Sequence, residues 1–304
     1  MWTKLRTEDA SELYQDLDTR TVSEIVELMN AAEKTVAYAV ERASLEIVRA
    51  VDLVVSKMEN GGRLIYVGAG TSGRLGVLDA AECPPTFNTP PDLVQAILAG
   101  GDGAMFEAVE HAEDQFADAE YELTSRRLSG SDVVVGITAS GRTPFVIGAL
   151  DYAKSVGAST IALACNPNSE VSAHADVAIE VDTGPEVLMG STRLKAGTAE
   201  KMVLNIISTA TMVRLGKVYR NLLVDLRATN HKLVERSKRI HMLVTGRTYE
   251  EAEAALETAG GNLKAAILVT QSGVTKETAE RLLRTANGFL RAALEKAQEF
   301  EKAE

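Results

Sequence analysis

The chain of 304 residues has only two cysteines, no excess of basic residues and no apolar run long enough to cross a membrane. Cys83 and Cys165 are far apart and have no metal-ligand neighbours, which predicts free thiols in a reducing compartment and no metal site. Acidic residues number 43 against 32 basic ones, and the net charge of -11 argues against a nucleic-acid partner. The N-terminal segment lacks the apolar core of a signal peptide, so we expect a cytoplasmic protein.

Short apolar runs alternate with helical patterns between residues 60 and 220. Five of these runs have the length and composition of strands, at residues 64–67, 93–98, 133–138, 160–165 and 177–181. Strands that alternate with helices build a parallel sheet covered by helices. We therefore predict a doubly wound parallel α/β domain over residues 60–220.

Helical patterns flank this domain on both sides. Residues 1–59 are predicted to form an N-terminal helical arm, in which apolar spacings of three and four from Val36 to Met58 indicate one long helix. A further helix is predicted over residues 196–215. Strand-like runs almost vanish beyond about residue 220, so residues 221–304 are predicted to form a small all-α C-terminal region.

Two glycine-containing turns carry the clearest functional signal. Residues 68–73 read Gly-Ala-Gly-Thr-Ser-Gly and residues 138–144 read Thr-Ala-Ser-Gly-Arg-Thr-Pro, and each turn joins a predicted strand to a predicted helix. Glycine lets backbone N–H groups approach an anion, and a helix N-terminus with nearby hydroxyls completes such a site. The pair predicts a phosphorylated small molecule as ligand, although each turn alone is also explained by ordinary helix capping. The first turn also matches the dinucleotide fingerprint, but Asp102 comes late for the ribose contact.

Carboxylates near these turns are candidates for proton transfer. Glu82 lies just before Pro84 and Pro85, which we expect to end the helix that follows the first turn. Glu110 and Glu113 fall in an acidic cluster and are predicted to share one side of a helix. A solvated surface also explains these glutamates, whereas a carboxylate held beside a sugar phosphate can serve as a general acid or base.

Four separated parts of the chain together resemble the N-acetylmuramic acid 6-phosphate etherase family of the sugar isomerase (SIS) superfamily. The resemblance extends over nearly the whole chain and is most specific at residues 68–76 with 81–85, 139–144, 165–167 and 190–198. Taken alone, residues 190–198 are either a third anion-contacting segment or a capped helix start. The helical tail at about residues 239–269 is similar to the UBA-like unit found in this family and in the glucokinase regulatory protein.

The resemblance implies cleavage of the D-lactyl ether of N-acetylmuramic acid 6-phosphate during cell-wall sugar recycling, giving N-acetylglucosamine 6-phosphate and D-lactate without a cofactor or a metal. Opening of the sugar makes the C2 proton acidic, so that elimination becomes possible. Elimination and rehydration then need two carboxylates, one as the base and one as the acid. Glu82 matches the family's proton donor and Glu113 its second carboxylate, while the group that takes the C2 proton stays open. A non-catalytic sugar-phosphate sensor and an aldose-ketose isomerase are the alternatives, and retention of both glutamates argues against the sensor.

The resemblance also assigns substrate-binding residues and a partner. It implies that Ser191 and Lys195 reach the sugar or the lactyl carboxylate, and that a homodimer completes the cleft near its interface. After Thr7-Glu8 the family usually carries asparagine and then serine, and this chain departs from that pattern. The residues implied to hold the phosphate are Thr71, Ser72, Gly73, Ser140, Gly141, Arg142 and Thr143.

Overall fold

Five parallel strands form the centre of the fold in a computed structural model that describes residues 5–226 and 231–301. The strands follow the order β2-β1-β3-β4-β5, and every neighbouring pair is parallel. The second strand lies on one side of β1 and the third on its other side, so the order of the strands reverses at β1. In parallel sheets, such a switch point opens a ligand crevice at the carboxyl ends of the strands. The strands are β1 (Leu64–Gly68), β2 (Val94–Leu98), β3 (Val133–Thr138), β4 (Ser159–Ala164) and β5 (Val177–Glu180).

The two central strands are buried along their whole length. Each residue of β1 and β3 is buried, and Leu64 pairs with Val94 on one side and Val133 on the other. Continuous apolar strands of this kind are typical of a parallel sheet covered by helices on both faces. The predicted doubly wound α/β fold is confirmed.

The chain divides into two compact units, residues 1–81 with 91–208 and residues 82–90 with 209–304. The predicted regions 1–59 and 221–304 include residues 1–4, 227–230 and 302–304, which lie outside the described part of the chain. Over the described residues, none of the helices has the length and apolarity needed to cross a membrane.

Two helices, α1 (Val22–Arg42) and α2 (Ser44–Glu59), precede the sheet. The prediction of one long helix across this segment is wrong, because Ala43 adopts φ -91° and ψ 10° and separates the two. The α2 helix ends as predicted, with Gly61 at φ +83° and the Gly62 N–H donating to the Lys57 carbonyl at 3.0 Å. This pattern is a Schellman cap, which needs a left-handed residue at the Gly61 position.

The helix after β1, α3 (Gly70–Phe87), does not stop at the double proline as the sequence predicts. Proline has a φ near the helical value and removes an N–H donor, but its own carbonyl still accepts a hydrogen bond. The Asn88 N–H accordingly donates to the Pro84 carbonyl at 3.0 Å. The helix therefore passes through Pro84 and Pro85 and ends at Phe87.

The acidic cluster around Glu113 is also not helical in the predicted way. Residues Ala112–Asp114 form a single 3-10 turn, and His111 before it has a left-handed backbone with φ 62°. A left-handed residue interrupts a helix, so Glu110 and Glu113 do not share a helical face.

Three more helices follow α3 in the chain, and beyond α6 the described part of the chain is mainly helical. These helices are α4 (Phe116–Ser125), α5 (Pro144–Ser155) and α6 (Lys195–Arg214). The second unit contains the helical region that the sequence predicts. It also contains a short hairpin, whose strands are too short to give a periodic apolar pattern in the sequence. The elements of this unit are β6 (Val218–Tyr219), β7 (Leu222–Leu223), α7 (His231–Thr245), α8 (Tyr249–Thr258), α9 (Leu263–Ser272), α10 (Lys276–Thr285) and α11 (Leu290–Glu301).

Candidate active site

A cavity of about 280 Å³ lies at the carboxyl ends of β1 and β3. Both glycine turns open into it, as expected for a crevice at the switch point of the sheet. Its lining combines hydroxyl groups, one guanidinium group and three carboxylates. The lining residues are 69–72, 138–140 and 142–144 together with Glu8, Glu113, Asp114 and Thr192.

The first turn brings the end of β1 into very close contact with the start of α3. A Cβ added to Gly68 would lie 2.7 Å from the Gly73 nitrogen, and a Cβ on Gly73 would collide with the Gly68 carbonyl oxygen. Gly70 has a positive φ of +52°. Glycine at these positions therefore lets the first turn of α3, with Thr71 and Ser72, lie against the cavity with its unpaired N–H donors.

The second turn is held by hydrogen bonds among its own hydroxyls. The Thr138 Oγ1 atom lies 2.7 Å from Thr143 Oγ1 and 3.3 Å from Ser140 Oγ, and the Arg142 N–H donates to Ser140 Oγ at 3.3 Å. Gly141 has φ +73°, and a Cβ there would lie 2.5 Å from the Ser169 Cβ. The turn thus presents hydroxyl groups and Arg142 to the cavity from a backbone that only glycine fits at its centre.

The third segment contributes a residue that the sequence-based assignment did not name. Thr192 lines the cavity, whereas Ser191 and Lys195 are not among its lining residues. The Lys195 side chain is buried and its Nζ donates to the Thr183 carbonyl at 2.7 Å. Burial lowers the pKa of Lys195, an effect that the nearby Glu186 carboxylate opposes.

The N-terminal arm supplies a second residue that was not predicted, Glu8. Thr7 beside it is fully buried, and the Asn166 side chain bonds to Thr7 twice, accepting from its N–H at 3.3 Å and donating to its Oγ1 at 2.9 Å. The Gly190 N–H donates to the Thr7 carbonyl at 3.2 Å. These contacts fix Glu8 at the cavity, and the adjacent Thr7-Glu8 pair was the available sequence signal.

The two predicted catalytic glutamates lie in different surroundings. Glu113 lines the cavity and also a neighbouring one of about 220 Å³ that includes Glu110 and His111. Glu82 is exposed on α3, nearly three helical turns beyond Ser72, and does not line the cavity. The structure therefore brings Glu113 together with Thr71, Ser72, Ser140, Arg142 and Thr143, while Gly73 and Gly141 shape the two turns.

One buried carboxyl group lies directly behind the first turn. Glu200 on α6 is fully buried, and Ser72 Oγ donates to its Oε1 at 2.8 Å. Burial raises the pKa of Glu200 to about 8, against the lowering effect of the Ser72 hydrogen bond. The spacing of apolar residues predicts α6 as a core helix and gives no sign of a carboxyl group that bonds to the first turn from behind.

This arrangement suits a phosphate monoester and a proton transfer beside it. Backbone donors, hydroxyl groups and Arg142 can surround phosphate oxygens, and a carboxylate in the same cavity can exchange protons with the bound molecule. The fold and these loops define the chain as a SIS-domain protein. The model of the SIS domain matches residues 115–210, and the model of the glucokinase regulatory protein N-terminal SIS domain matches residues 46–154.

Curated relatives give the particular family. The chain is 54% identical to N-acetylmuramic acid 6-phosphate etherase of Bacillus cereus strain G9842, over 88% of this chain and 92% of that protein. It is 55% identical to the etherase of the same name from Mycolicibacterium smegmatis, over 88% and 90%. A solved phosphoheptose isomerase from Francisella tularensis covers 66% of this chain and 99% of its own, with 20% identity and a TM-score of 0.49. The chain belongs to the N-acetylmuramic acid 6-phosphate etherase family, which confirms the family and the enzyme class expected from its motifs.

Proposed function

We propose that this chain cleaves the D-lactyl ether of N-acetylmuramic acid 6-phosphate, with the phosphate bound between the two glycine turns. The observation that carries this proposal is the single cavity that joins the hydroxyls of both turns, Arg142 and the Glu113 carboxylate. The products are N-acetylglucosamine 6-phosphate and D-lactate, as required for recycling of a cell-wall sugar.

The phosphate is held by dipoles and one cation rather than by a basic patch. Thr71 and Ser72 stand in the first turn of α3, where unpaired backbone N–H groups and the helix dipole favour an anion. Ser140 and Thr143 face it from the second turn, with the guanidinium group of Arg142. We assign Thr192 and Glu8 to the sugar part of the substrate, because they line the cavity from the third segment and the arm.

The ether bond is broken by elimination. In the open-chain sugar the C2 proton is acidic, and its removal by a base expels the lactyl oxygen from C3 once an acid protonates that oxygen. Water then adds across the double bond with the same pair of groups in reversed roles. We assign protonation of the leaving lactate to Glu82 and removal of the C2 proton to Glu113, since Glu113 already lies in the cavity.

Glu82 enters this scheme through a second copy of the chain. It is exposed on α3 and lies four residues from Leu78, so both side chains project from one face of the helix. Three large apolar side chains are exposed: Leu78 is 47% exposed, Phe106 90% and Tyr121 74%. Phe106 also lines a groove together with Val77, the residue before Leu78. Exposed large apolar side chains favour burial by a partner. We propose that this partner is a second copy of the chain, and that the dimer places Glu82 of one protomer at the cavity of its partner.

We assign the sugar-phosphate-binding domain to residues 60–220, preceded by the arm of residues 1–59 and followed by a helical region over residues 221–304. The chain is proposed to act in the cytoplasm, where its two buried cysteines, Cys83 and Cys165, which form no disulfide, would stay reduced. The UBA-like character of the helical region is part of the same proposal.

Release of D-lactate from N-acetylmuramic acid 6-phosphate by the purified chain in isotopically labelled water tests the reaction. We expect lactate, with solvent oxygen at C3 and solvent hydrogen at C2 of the sugar product. A ketose phosphate without lactate would instead indicate an isomerase. Tight binding of the sugar phosphate without turnover would indicate a sensor.

Mixed dimers test the origin of the two glutamates. Glu82→Ala and Glu113→Ala are each expected to be inactive alone, because each dimer then lacks one carboxylate at both sites. If the glutamates of one site come from different protomers, a mixed dimer has one intact site and one doubly altered site. Random exchange would restore about a quarter of the wild-type activity, because half of the dimers are mixed. No recovery in dimers shown by mass spectrometry to be mixed would place both glutamates on one protomer.

A further inference from the structure

The Glu200 side chain is a buried carboxyl group that the proposed chemistry leaves without a task. It is fully buried, its Oε1 bonds with Ser72 Oγ at 2.8 Å, and its Oε2 has no hydrogen-bond partner. Ser72 itself lines the cavity between the two turns. Glu200 therefore contacts the phosphate-binding loop from behind and has no other polar contact through its carboxyl group.

The protonation state of Glu200 decides what the Ser72 hydroxyl can offer to a ligand. A hydroxyl group has one hydrogen to donate and two lone pairs. When Glu200 is ionised, that hydrogen is directed to Oε1 and Ser72 presents lone pairs to the cavity, which repel an anion. When Glu200 carries a proton on Oε1, the carboxyl group donates to Ser72 Oγ, and the Ser72 hydrogen becomes free to bind a phosphate oxygen.

We propose that Glu200 is a positioning residue that must be protonated for Ser72 to donate its hydrogen bond to the substrate phosphate. This inference rests on the proposed function, in which Ser72 binds that phosphate. The proton comes from solvent. Above the titration point of Glu200, binding of the sugar phosphate is therefore accompanied by uptake of this proton by the protein. The consequence is a loss of phosphate affinity on the alkaline side of neutrality.

Among the titratable groups near Glu200, Glu186 is another carboxyl group whose pKa is raised by burial, against the lowering effect of hydrogen bonds from the Ala196 and Lys195 N–H groups. The causes of the raised pKa of Glu200, which is about 8, are burial first and the opposing Ser72 hydrogen bond second. Cys165 is buried nearby and its thiol bonds to the Ala196 carbonyl. Burial, followed by the charges of Glu200 and Glu186, raises the pKa of Cys165 well above its usual value, so it stays a neutral thiol. The Lys195 ammonium is held on Thr183, and the Glu186 carboxylate accepts from the Lys195 and Ala196 N–H groups.

Calorimetric binding of the product N-acetylglucosamine 6-phosphate measures this effect apart from catalysis. Its phosphate is largely a dianion above pH 7, because the second phosphate pKa is near 6. With a Glu200 pKa of about 8, the dissociation constant of the wild-type protein is expected to rise about tenfold between pH 7 and pH 9. Binding at pH 9, measured in buffers of different ionisation enthalpy, should be accompanied by uptake of about 0.9 proton.

The decisive variant is Glu200→Gln, which keeps the shape of the side chain and can turn its amide N–H toward Ser72. It is expected to bind with a dissociation constant that does not change between pH 7 and pH 9, and without proton uptake. Glu186→Gln, which alters another buried carboxyl group near α6, should keep the wild-type pH dependence. Circular dichroism and urea unfolding of each variant confirm that the fold is retained.

Two outcomes separate failure of this inference from failure of the proposed function. If Ser72→Ala weakens product binding at pH 7 but Glu200→Gln keeps the tenfold alkaline loss, Ser72 binds phosphate and Glu200 does not control it. If Ser72→Ala binds the product as wild type does at pH 7, Ser72 does not bind the phosphate; if Arg142→Ala also binds as wild type does, the proposed phosphate site is itself misplaced. A Glu200→Gln protein that has lost product binding at all pH values would also overturn the proton requirement.

Discussion

Substitution of Gly141 by alanine tests the central position of the second turn. Gly141 has φ +73°, and a left-handed backbone costs an alanine about 1–2 kcal/mol. The new Cβ would also lie 2.5 Å from the Ser169 Cβ and meet the Ser169 hydroxyl, an overpacking that adds about 1–3 kcal/mol. We therefore expect Gly141→Ala to lower the free energy of unfolding by about 2–5 kcal/mol.

The effect should extend to binding, because Ser169 is part of a chain of contacts. Ser169 Oγ donates to the Asn166 carbonyl at 2.7 Å, and the Asn166 side chain holds Thr7 beside Glu8. Displacement of Ser169 thus disturbs the second turn and the arm together. The Michaelis constant for the sugar phosphate is expected to rise tenfold or more, since shifts of about 1 Å in positioning residues have effects of this size.

Urea unfolding and steady-state lactate release measure the two effects, with Gly61→Ala as the matched control. Gly61 has φ +83° but nothing within 4 Å of an added Cβ, so it isolates the backbone cost. A second change, Ser169→Gly, removes the colliding atoms and should recover the steric part of the loss in the Gly141→Ala protein. Equal destabilisation by Gly141→Ala and Gly61→Ala, or no recovery on adding Ser169→Gly, would refute the steric argument.

Two further substitutions address stability and phosphate binding. Asp132 is 2% exposed and accepts hydrogen bonds from the Arg63 side chain and the Ser129 N–H. Burial acts to raise the pKa of Asp132, but these hydrogen bonds outweigh burial and hold the pKa below its usual value. Asp132→Asn should cost about 3 kcal/mol in urea unfolding at pH 7. The difference from wild type should shrink as the pH falls below ~4, because the carboxyl group of the unfolded chain, with its ordinary pKa, takes up a proton there before the native carboxylate does. A difference that is constant with pH would contradict this account. Arg142→Ala should raise the dissociation constant of N-acetylglucosamine 6-phosphate by roughly ten- to a hundredfold, because it removes a hydrogen bond between charged groups. Calorimetry that shows less than a threefold change would exclude Arg142 from the phosphate site.

The sheet and the two turns could be predicted because their signals are local. Each strand is a short apolar run, and each turn joins glycine and hydroxyl residues within six or seven positions of the chain. Local signals also explain the errors at Ala43 and Pro84. The apolar spacing continues across Ala43 although its backbone leaves the helix, and proline at position 84 costs a donor without ending α3.

Residues that support the cavity-lining segments from distant parts of the chain could not be predicted in the same way. Glu200 is 128 positions from Ser72, and Thr7 is 159 positions from the Asn166 side chain that fixes it. Their placement depends on how α6 and the arm pack on the sheet, which composition and periodicity do not encode. The sequence therefore predicts which loops line the cavity, but not which side chains support those loops from behind.

The charge of the cavity explains how an acidic chain can bind a phosphorylated sugar. Among the lining residues Arg142 is cationic, whereas Glu8, Glu113 and Asp114 are anionic. A phosphate beside so many carboxylates needs donors that carry no net charge, and the N–H groups and hydroxyls of the two turns supply them. A fully ionised Glu200 would add one more negative charge behind Ser72 and would take its hydrogen. In the proposed scheme, protonation of that buried carboxyl group is therefore what lets this acidic site keep its full set of donors.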